Sequence, residues 1–415
     1  MNAATLEFIR THANDDIRQL ALGRVHADVN LREALAQIEG RQVAARKLPT
    51  CAATDGFLFP PRLSLEQCSS EATARYKRDI VARLAQSLPL GRAGEGPALS
   101  FIDLTGGLGI DFMTIAPLFE DATYVEHNSD LCELARHNLP LMGCSHAKVI
   151  CEEVAVGCSS IASQQYTMML VDPARRDAVG RKVARIEDCT PDVCALQGKL
   201  RSHARYTLIK LSPMLDLTAA FRALNGIKEA HVVSVDGECK ELLLVMCEGE
   251  RDNNQIPIYC VDLRGQATTF CFTFNEEKAM FQGNAAFLSP DRVGLTGRFL
   301  YEPNASILKA GAFKTVCRRF AVQKLAPDTH LYTSATLIDD FPGRRWRIID
   351  SASFAKKDLR RLLAGIDAAD LSVRGFPASV AMLRRQLHLR EGGNSHFIAS
   401  TLVDSTKILF RVERV

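Results

Sequence analysis

FIDLTGGLGID, running from Phe101 to Asp111, joins a short apolar segment to three glycines and two carboxylates. The apolar segment reads as a buried strand that ends at Asp103. Thr105, Gly106, Gly107 and Gly109 then form a turn, and FMTIAPLF reads as the helix that follows. Glycine is wanted in such a turn because the backbone must accept positive φ and let a ligand approach closely. The first amides of the helix offer further donors to that ligand.

Outward from this turn the chain alternates strand and helix. ATYVEHN is a second strand and DLCELARHNLPLM its helix; AKVICEEV is a third strand and YTMMLVDPARR a fourth. TPDVCALQGKLRS is a helix, YTLIKLSP a fifth strand and LDLTAAFRALN another helix. EAHVVSV and ELLLVMC are strands joined by the short turn DGECK. Strands apolar on both faces, alternating with helices, predict a parallel α/β sheet covered by helices. The final pair must be antiparallel, because so short a turn cannot make a parallel crossover.

Acidic residues stand at successive strand ends. Asp103 ends the first strand, Asp111 opens the helix, Glu126 ends the second strand and Asn128 follows it. Glu152 and Glu153 lie near the end of the third. A dinucleotide site wants G-x-G-x-x-G, but here the series from Gly107 and Gly109 meets Phe112 in place of the third glycine. Carboxylates would also face a pyrophosphate badly. They suit a ligand with an ammonium and a sulfonium, which is S-adenosyl-L-methionine. Glu126 is placed to accept from ribose hydroxyls, and Glu153 or Glu152 from an adenine amino group.

The D-x-T-G-G-x-G-x-D stretch resembles the class I S-adenosylmethionine-dependent methyltransferases, whose guanine-N2 rRNA members carry D-x-T-A-G-x-G-x-D. The whole chain resembles a bacterial family of RNA methyltransferases with a ferredoxin-like insert and a C-terminal THUMP-like domain, the latter suggested by VRGFPASVAMLRRQLHLREGG and HFIASTL. The resemblance implies a Rossmann-like sheet of seven strands with a helical N-terminal region and small α+β C-terminal domains. The implied divisions are a helical region at 1–97, the class I domain at 98–250, the ferredoxin-like domain at 251–330 and the basic THUMP-like domain at 331–415.

LVDPARRD, Leu170 to Asp177, falls where class I enzymes put a catalytic loop. Amino-group methyltransferases carry there an acid or Asn, then Pro-Pro and an aromatic. Asp172 and Pro173 match, Ala174 replaces a proline, and Arg175 replaces the aromatic. An Arg plane still stacks on a base or holds a phosphate. D-P-x-R is also similar to uracil-C5 methyltransferases, but the chain has no S-C-N-P nucleophile segment. Exocyclic amino nitrogen is therefore the favoured acceptor, with Asp172 drawing a proton or orienting a lone pair. Lys210 follows the fifth strand within reach of that region. Gln67, in EQCSSE, resembles the Gln-x-x-Thr-Pro segment that class I nucleic-acid enzymes hold against the methionine end of the cofactor. A protein or small-molecule methyltransferase, and a catalytically silent RNA-binding adaptor on the same fold, remain the alternatives.

The remaining chain bounds these readings. Its 415 residues, 47% hydrophobic and 24% charged, exclude a wholly disordered chain. Residues 1–97 read as helical, with Asn30 as the N-cap of LREALAQIEGRQVAARK, Pro49 after its end, and Leu20, Leu22 and Val25 on one face. DGFLFPPRLS breaks this region. Thirteen cysteines without a C-x-x-C pair, and histidines without H-E-x-x-H, predict reduced thiols in a cytoplasm and no metal site. No secretory leader and no apolar stretch of membrane-spanning length is expected. Net charge is +3, yet residues 331–415 hold 14 Lys and Arg against 9 Asp and Glu, while the rest holds 37 against 39. A basic C-terminal part, with Trp346 set among Arg344, Arg345 and Arg347, predicts an RNA partner with bases stacked on the indole.

Overall fold

The computed structural model describes residues 1–23, 26–87, 99–155, 158–162, 164–174, 185–249, 251–279, 287 and 295–415. Two compact units emerge: Met1–Glu229 with Leu242–Arg251, and Ala230–Glu241 with Asp252–Val415. Val25 of the N-terminal stripe lies outside the described residues.

The first unit opens with helices α1 (Ala3–Thr11), α2 (Ile17–Leu22), α3 (Leu31–Lys47), α4 (Pro49–Ala53), α5 (Arg62–Gln67) and α6 (Glu71–Gln86). Asn30 caps α3, accepting from the Glu33 amide at 3.3 Å, and Pro49 opens α4 where a missing N–H costs nothing. Ile9, Ala34 and Ile38 make a small core there, with Phe8, Ile17 and Leu20 against it. The DGFLFPP break is clamped by side-chain amides. Gln37 donates to Phe59 O (3.0 Å) and accepts from Phe59 N (2.8 Å), and Asn138 does the same with Leu58 (2.8 and 2.9 Å).

The alternating region follows as β1 (Ser100–Asp103), α7 (Ile110–Ile115), β2 (Asp121–Glu126), α8 (Ser129–Leu141), β3 (Lys148–Cys151), α9 (Ser159–Ala162) and β4 (Tyr166–Val171). It continues as α10 (Val193–His203), β5 (Ala204–Leu211), α11 (Leu217–Ala223), β6 (Ile227–Val235) and β7 (Glu238–Cys247). Strand order is β3-β2-β1-β4-β5-β7, with the start of β6 beyond β7. Every pairing from β3 to β5 is parallel, and β7 runs antiparallel to β5. This is the seven-strand class I order, with the antiparallel hairpin where its short turn required it. All four residues of β1 and five of six in β4 are buried, which is why both read as unbroken apolar segments. Chain order reverses between β1 and β4, so a crevice opens at their carboxyl ends.

In the second unit the rest of β6 pairs in parallel with β8 (Ile258–Asp262), which pairs antiparallel with β9 (Thr268–Phe272). Then come α12 (Phe274–Lys278), β10 (Phe299–Pro303), α13 (Ala305–Ala310), α14 (Phe313–Phe320), β11 (Gln323–Ala326) and β12 (Thr329–Ser334). The chain ends in β13 (Gly343–Ser353), α15 (Lys356–Leu362), β14 (Asp370–Arg374), α16 (Val380–Leu387), β15 (His396–Thr401) and β16 (Lys407–Arg414). Their sheet has the order β11-β12-β10-β13-β16-β15-β14, antiparallel except for β14 and β15. Leu362, Leu383 and Leu387 of α15 and α16 join Leu371, Phe397 and Leu409 in one core on this sheet. Among the described residues no helix is long and apolar enough to cross a membrane.

Candidate active site

The glycine turn is tied to both neighbouring strands. Leu104 N donates to Leu170 O of β4 (2.9 Å) and Gly106 N to Val125 O of β2 (2.8 Å). Gly107 and Gly109 take φ of +56° and +83°, the left-handed region open to glycine. Gly106 is required for a different reason: a Cβ there would stand 2.1 Å from Tyr124 Cε2. The Tyr124 hydroxyl in turn donates to Gly107 O (2.5 Å) and holds the turn against β2.

Four carboxyl groups gather at this crevice. Asp103 is buried, and its Oδ1 accepts from Thr105 N at 2.9 Å. Burial, reinforced by the charges of Asp111, Asp172 and Glu126, pushes its carboxyl up to about 8. Glu126 is also buried; one oxygen accepts from Gly107 N and the other from Asn128 N, both at 2.9 Å. His127 Nδ1 also stands 2.9 Å from the oxygen that Asn128 holds, so the oxygen facing Gly107, with one of its two lone pairs in use, is the one that can still accept a donor. The Asn128 side chain caps α8, accepting from Asp130 N (2.9 Å) and Leu131 N (3.2 Å). Glu152 caps α9 through Ser159 and Ser160, and the Ser160 hydroxyl holds its carboxyl down to about 2. Glu153 is exposed beside it.

Asp172 and buried Pro173 follow β4. Asp172 N donates to Thr105 Oγ1 (2.6 Å), which couples this loop to the glycine turn. Ala174 is pinned to Thr190 by two backbone hydrogen bonds of 2.7 and 3.0 Å. The Lys210 ammonium donates to Asp172 Oδ2 in a direct ion pair. Enclosure by the crevice raises the Asp172 carboxyl above its ordinary value, although 38% of the side chain meets solvent, and Lys210 pulls it back down. Arg175 lies outside the described residues.

Gln67 is exposed at the end of α5. The turn after it reaches the site through Ser69, whose hydroxyl donates to Asp111 Oδ2 (2.7 Å). Ser70 caps α6, accepting from Thr73 N (3.2 Å). The Cys68 thiol, pushed up by burial, also feels Lys47, Lys210 and Asp111, so the turn borders both halves of the crevice. Lys77 completes the set, fully buried and 3.1 Å from Asp111 Oδ1. The EQCSSE segment offers Ser69 or Ser70 as an N-cap; Ser70 takes that role and Ser69 turns to Asp111, while Lys77 and Tyr124 carry no motif. The signal for Lys77 was a lysine in the middle of an apolar helical stripe.

Among the described residues the crevice thus holds four carboxyl groups against the ammoniums of Lys77 and Lys210. Burial first, and the neighbouring carboxylates second, load a proton onto Asp103; a cationic guest offsets both, whereas a pyrophosphate adds to the repulsion. The residues present therefore fit a sulfonium nucleoside with an ammonium tail.

Family models match a ferredoxin-like domain at residues 299–342 and a THUMP domain-like segment at 343–414. Comparison with curated proteins finds no match. Among solved structures, the "putative methyltransferase from Porphyromonas gingivalis W83" is 31% identical with a TM-score of 0.83, covering 99% of this chain and 98% of that one. The chain belongs to that protein's family. This chain carries the class I strand order together with ferredoxin-like and THUMP-like segments. A methyltransferase from Agrobacterium tumefaciens matches at 18% identity and a TM-score of 0.25, over 32% of this chain and 43% of that one. A Pyrococcus abyssi tRNA (uracil-54, C5)-methyltransferase matches at 17% and 0.27, over 43% and 38%.

The basic C-terminal segment of this chain differs from the sequence expectation in one respect. Trp346 is only 6% exposed and packs with Ile348, Ile398 and Phe410, so it is no platform for a base. Its neighbours are partly committed too. Arg344 pairs with buried Glu302 at 3.6 Å, and Arg345 pairs with Asp339. The indole went inward because β13 alternates, and Arg345 and Arg347 took the opposite face.

Proposed function

We propose that the chain transfers the methyl group of S-adenosyl-L-methionine to an exocyclic amino nitrogen of a base in structured RNA. One observation carries this reading: the Asp172 carboxylate, paired with Lys210, sits at the carboxyl end of β4 across Thr105 from the glycine turn. When bound, the cofactor supplies a methyl group activated by its sulfonium. Asp103 meets cationic charge, and Glu126 accepts from the ribose hydroxyls with the oxygen that faces Gly107. Glu153 is the candidate for the adenine amino group, and Gln67 for the methionine end. Gly107 lets the backbone lie close to the guest.

Asp172 and the Pro173 carbonyl accept from the target amino group and orient its lone pair. Methyl transfer asks mainly for alignment, so a fixed acceptor suffices. Lys210 draws the Asp172 carboxyl toward its ionised form and holds it by a direct ion pair. Arg175 is placed by sequence to stack on or steady the acceptor. RNA as the partner rests on the THUMP-like segment and the basic surplus of residues 331–415.

Mass spectrometry of nucleosides from RNA of cells with and without this chain tests the reading. A methylated base should vanish without it and return with the wild type but not with Asp172→Ala. Methylation that vanishes from protein or a small molecule instead would overturn the RNA assignment. An unchanged Asp172→Ala strain would overturn the role of the carboxylate. Excess S-adenosylhomocysteine, at 100 times its dissociation constant, should add about 2.7 kcal/mol to stability.

A further inference from the structure

Lys77 occupies a place that an amphipathic helix reserves for apolar side chains. Thr73, Ala74, Ile80, Val81 and Leu84 form the buried stripe of α6, and Lys77 lies in its middle with no exposed surface. An ammonium held there needs fixed partners. The Lys77 ammonium donates to Ser69 Oγ (3.1 Å) and stands 3.1 Å from Asp111 Oδ1. The Ser69 hydroxyl donates to Asp111 Oδ2 (2.7 Å), which closes a three-membered ring of contacts. Asp111 Oδ1 is sealed from solvent and lies off the hydrogen-bonding line of any donor, although Lys77 is within ion-pair distance. Oδ1 is therefore closed to a guest, and Oδ2 already holds the Ser69 hydroxyl.

We propose that Lys77 is a positioning residue of the cofactor pocket: it cancels the charge of Asp111 and, through Ser69, clamps the Gln67-Cys68-Ser69 turn onto the first turn of α7. Asp111 becomes an anchor for the pocket wall, and Asp103 remains to meet cationic charge. This deepens the reading of the crevice as a cofactor site and rests on it. The clamp joins segments 42 residues apart and sets the distance between Gln67 and the glycine turn. Removing only the cation strands a buried carboxylate, whereas removing both charges leaves Ser69 an amide oxygen to bond.

Calorimetric titration with S-adenosylhomocysteine, alongside thermal melting, decides the matter. Lys77→Met should weaken uptake about tenfold or more, and Ser69→Ala by a smaller factor. The double variant Lys77→Met/Asp111→Asn should recover to within about threefold of wild type and melt above Lys77→Met. A purely space-filling lysine predicts the reverse, since two altered groups would then be worse than one. Unchanged binding by Lys77→Met, or a double variant no better than the single, overturns the clamp. If Lys77→Met does not fold, the double variant decides alone: it must fold and bind. Wild-type protein that takes up no S-adenosylhomocysteine overturns the cofactor reading itself, a result distinct from either.

Discussion

Asp103 shows how one buried carboxyl ties stability to pH, and under the proposed function to ligand uptake. Its value near 8 in the folded protein stands above an unfolded value of about 4. The folded state therefore holds a proton that the unfolded chain has released, and stability falls as pH climbs through that window. Asp103→Asn cannot ionise. It should melt above wild type at pH 8.5, match it near pH 4, and lose the thermal shift given by S-adenosylmethionine; melting curves at the two pH values check this. Lys210 acts on Asp172 in the opposite sense, holding a raised carboxyl down. Lys210→Met should move the acid limb of the pH–rate profile to higher pH, because Asp172 then keeps its proton longer. An unmoved limb would separate Lys210 from the reacting group. Both acids were legible as strand-end carboxylates in an alternating pattern. Lys77 was not, because a sequence shows a charge on an apolar stripe but not the partner that permits it.

At the scale of elements, the glycine turn is a packing device as much as a binding loop. Gly106 leaves room for the Tyr124 ring, and Tyr124 holds Gly107 O. Gly106→Ala must push a buried aromatic aside, a change of the kind that costs about 1–3 kcal/mol. It should lower the melting temperature and abolish the S-adenosylhomocysteine shift, as differential scanning fluorimetry would record. The alternating half of the chain was legible because its strands are buried on both faces and its helices begin at caps such as Asn128, Asp192 and Asp216. The second unit was harder. β14, DLSVR, has one fully buried residue, and β10 carries a buried Glu302 matched by Arg344 and Arg374. β14 thus lacks the apolar pattern that announces a strand, and in β10 a single buried charge interrupts an otherwise apolar segment. In YEPNASILKAGAFKTVCRRFAV the first residues complete β10, and Gly311, at φ +77°, divides α13 from α14.

For the molecule as a whole, the uneven charge separates two accounts of how a polyanion is held. With Trp346 in the core, the phosphates of the proposed RNA would fall to the exposed cations, and Lys356, Lys357, Arg360 and Arg385 are all exposed on α15 and α16. Cations of that kind bind phosphate without reading sequence, and each phosphate neutralised releases counterions. Affinity for RNA should then fall steeply with salt. Changing all four cations to Gln should flatten the slope of log affinity against log salt by about 0.7 for each single-strand phosphate that is no longer neutralised. Filter binding over a salt series measures it. Trp346→Phe should leave that slope alone and show itself in thermal stability, because the indole packs against Ile348 and Phe410 rather than against a base. If instead Trp346→Phe weakened binding while the fold melted normally, stacking would hold the RNA and the charges would be bystanders. A slope unaltered by the four Gln changes would place the RNA-binding surface away from α15 and α16.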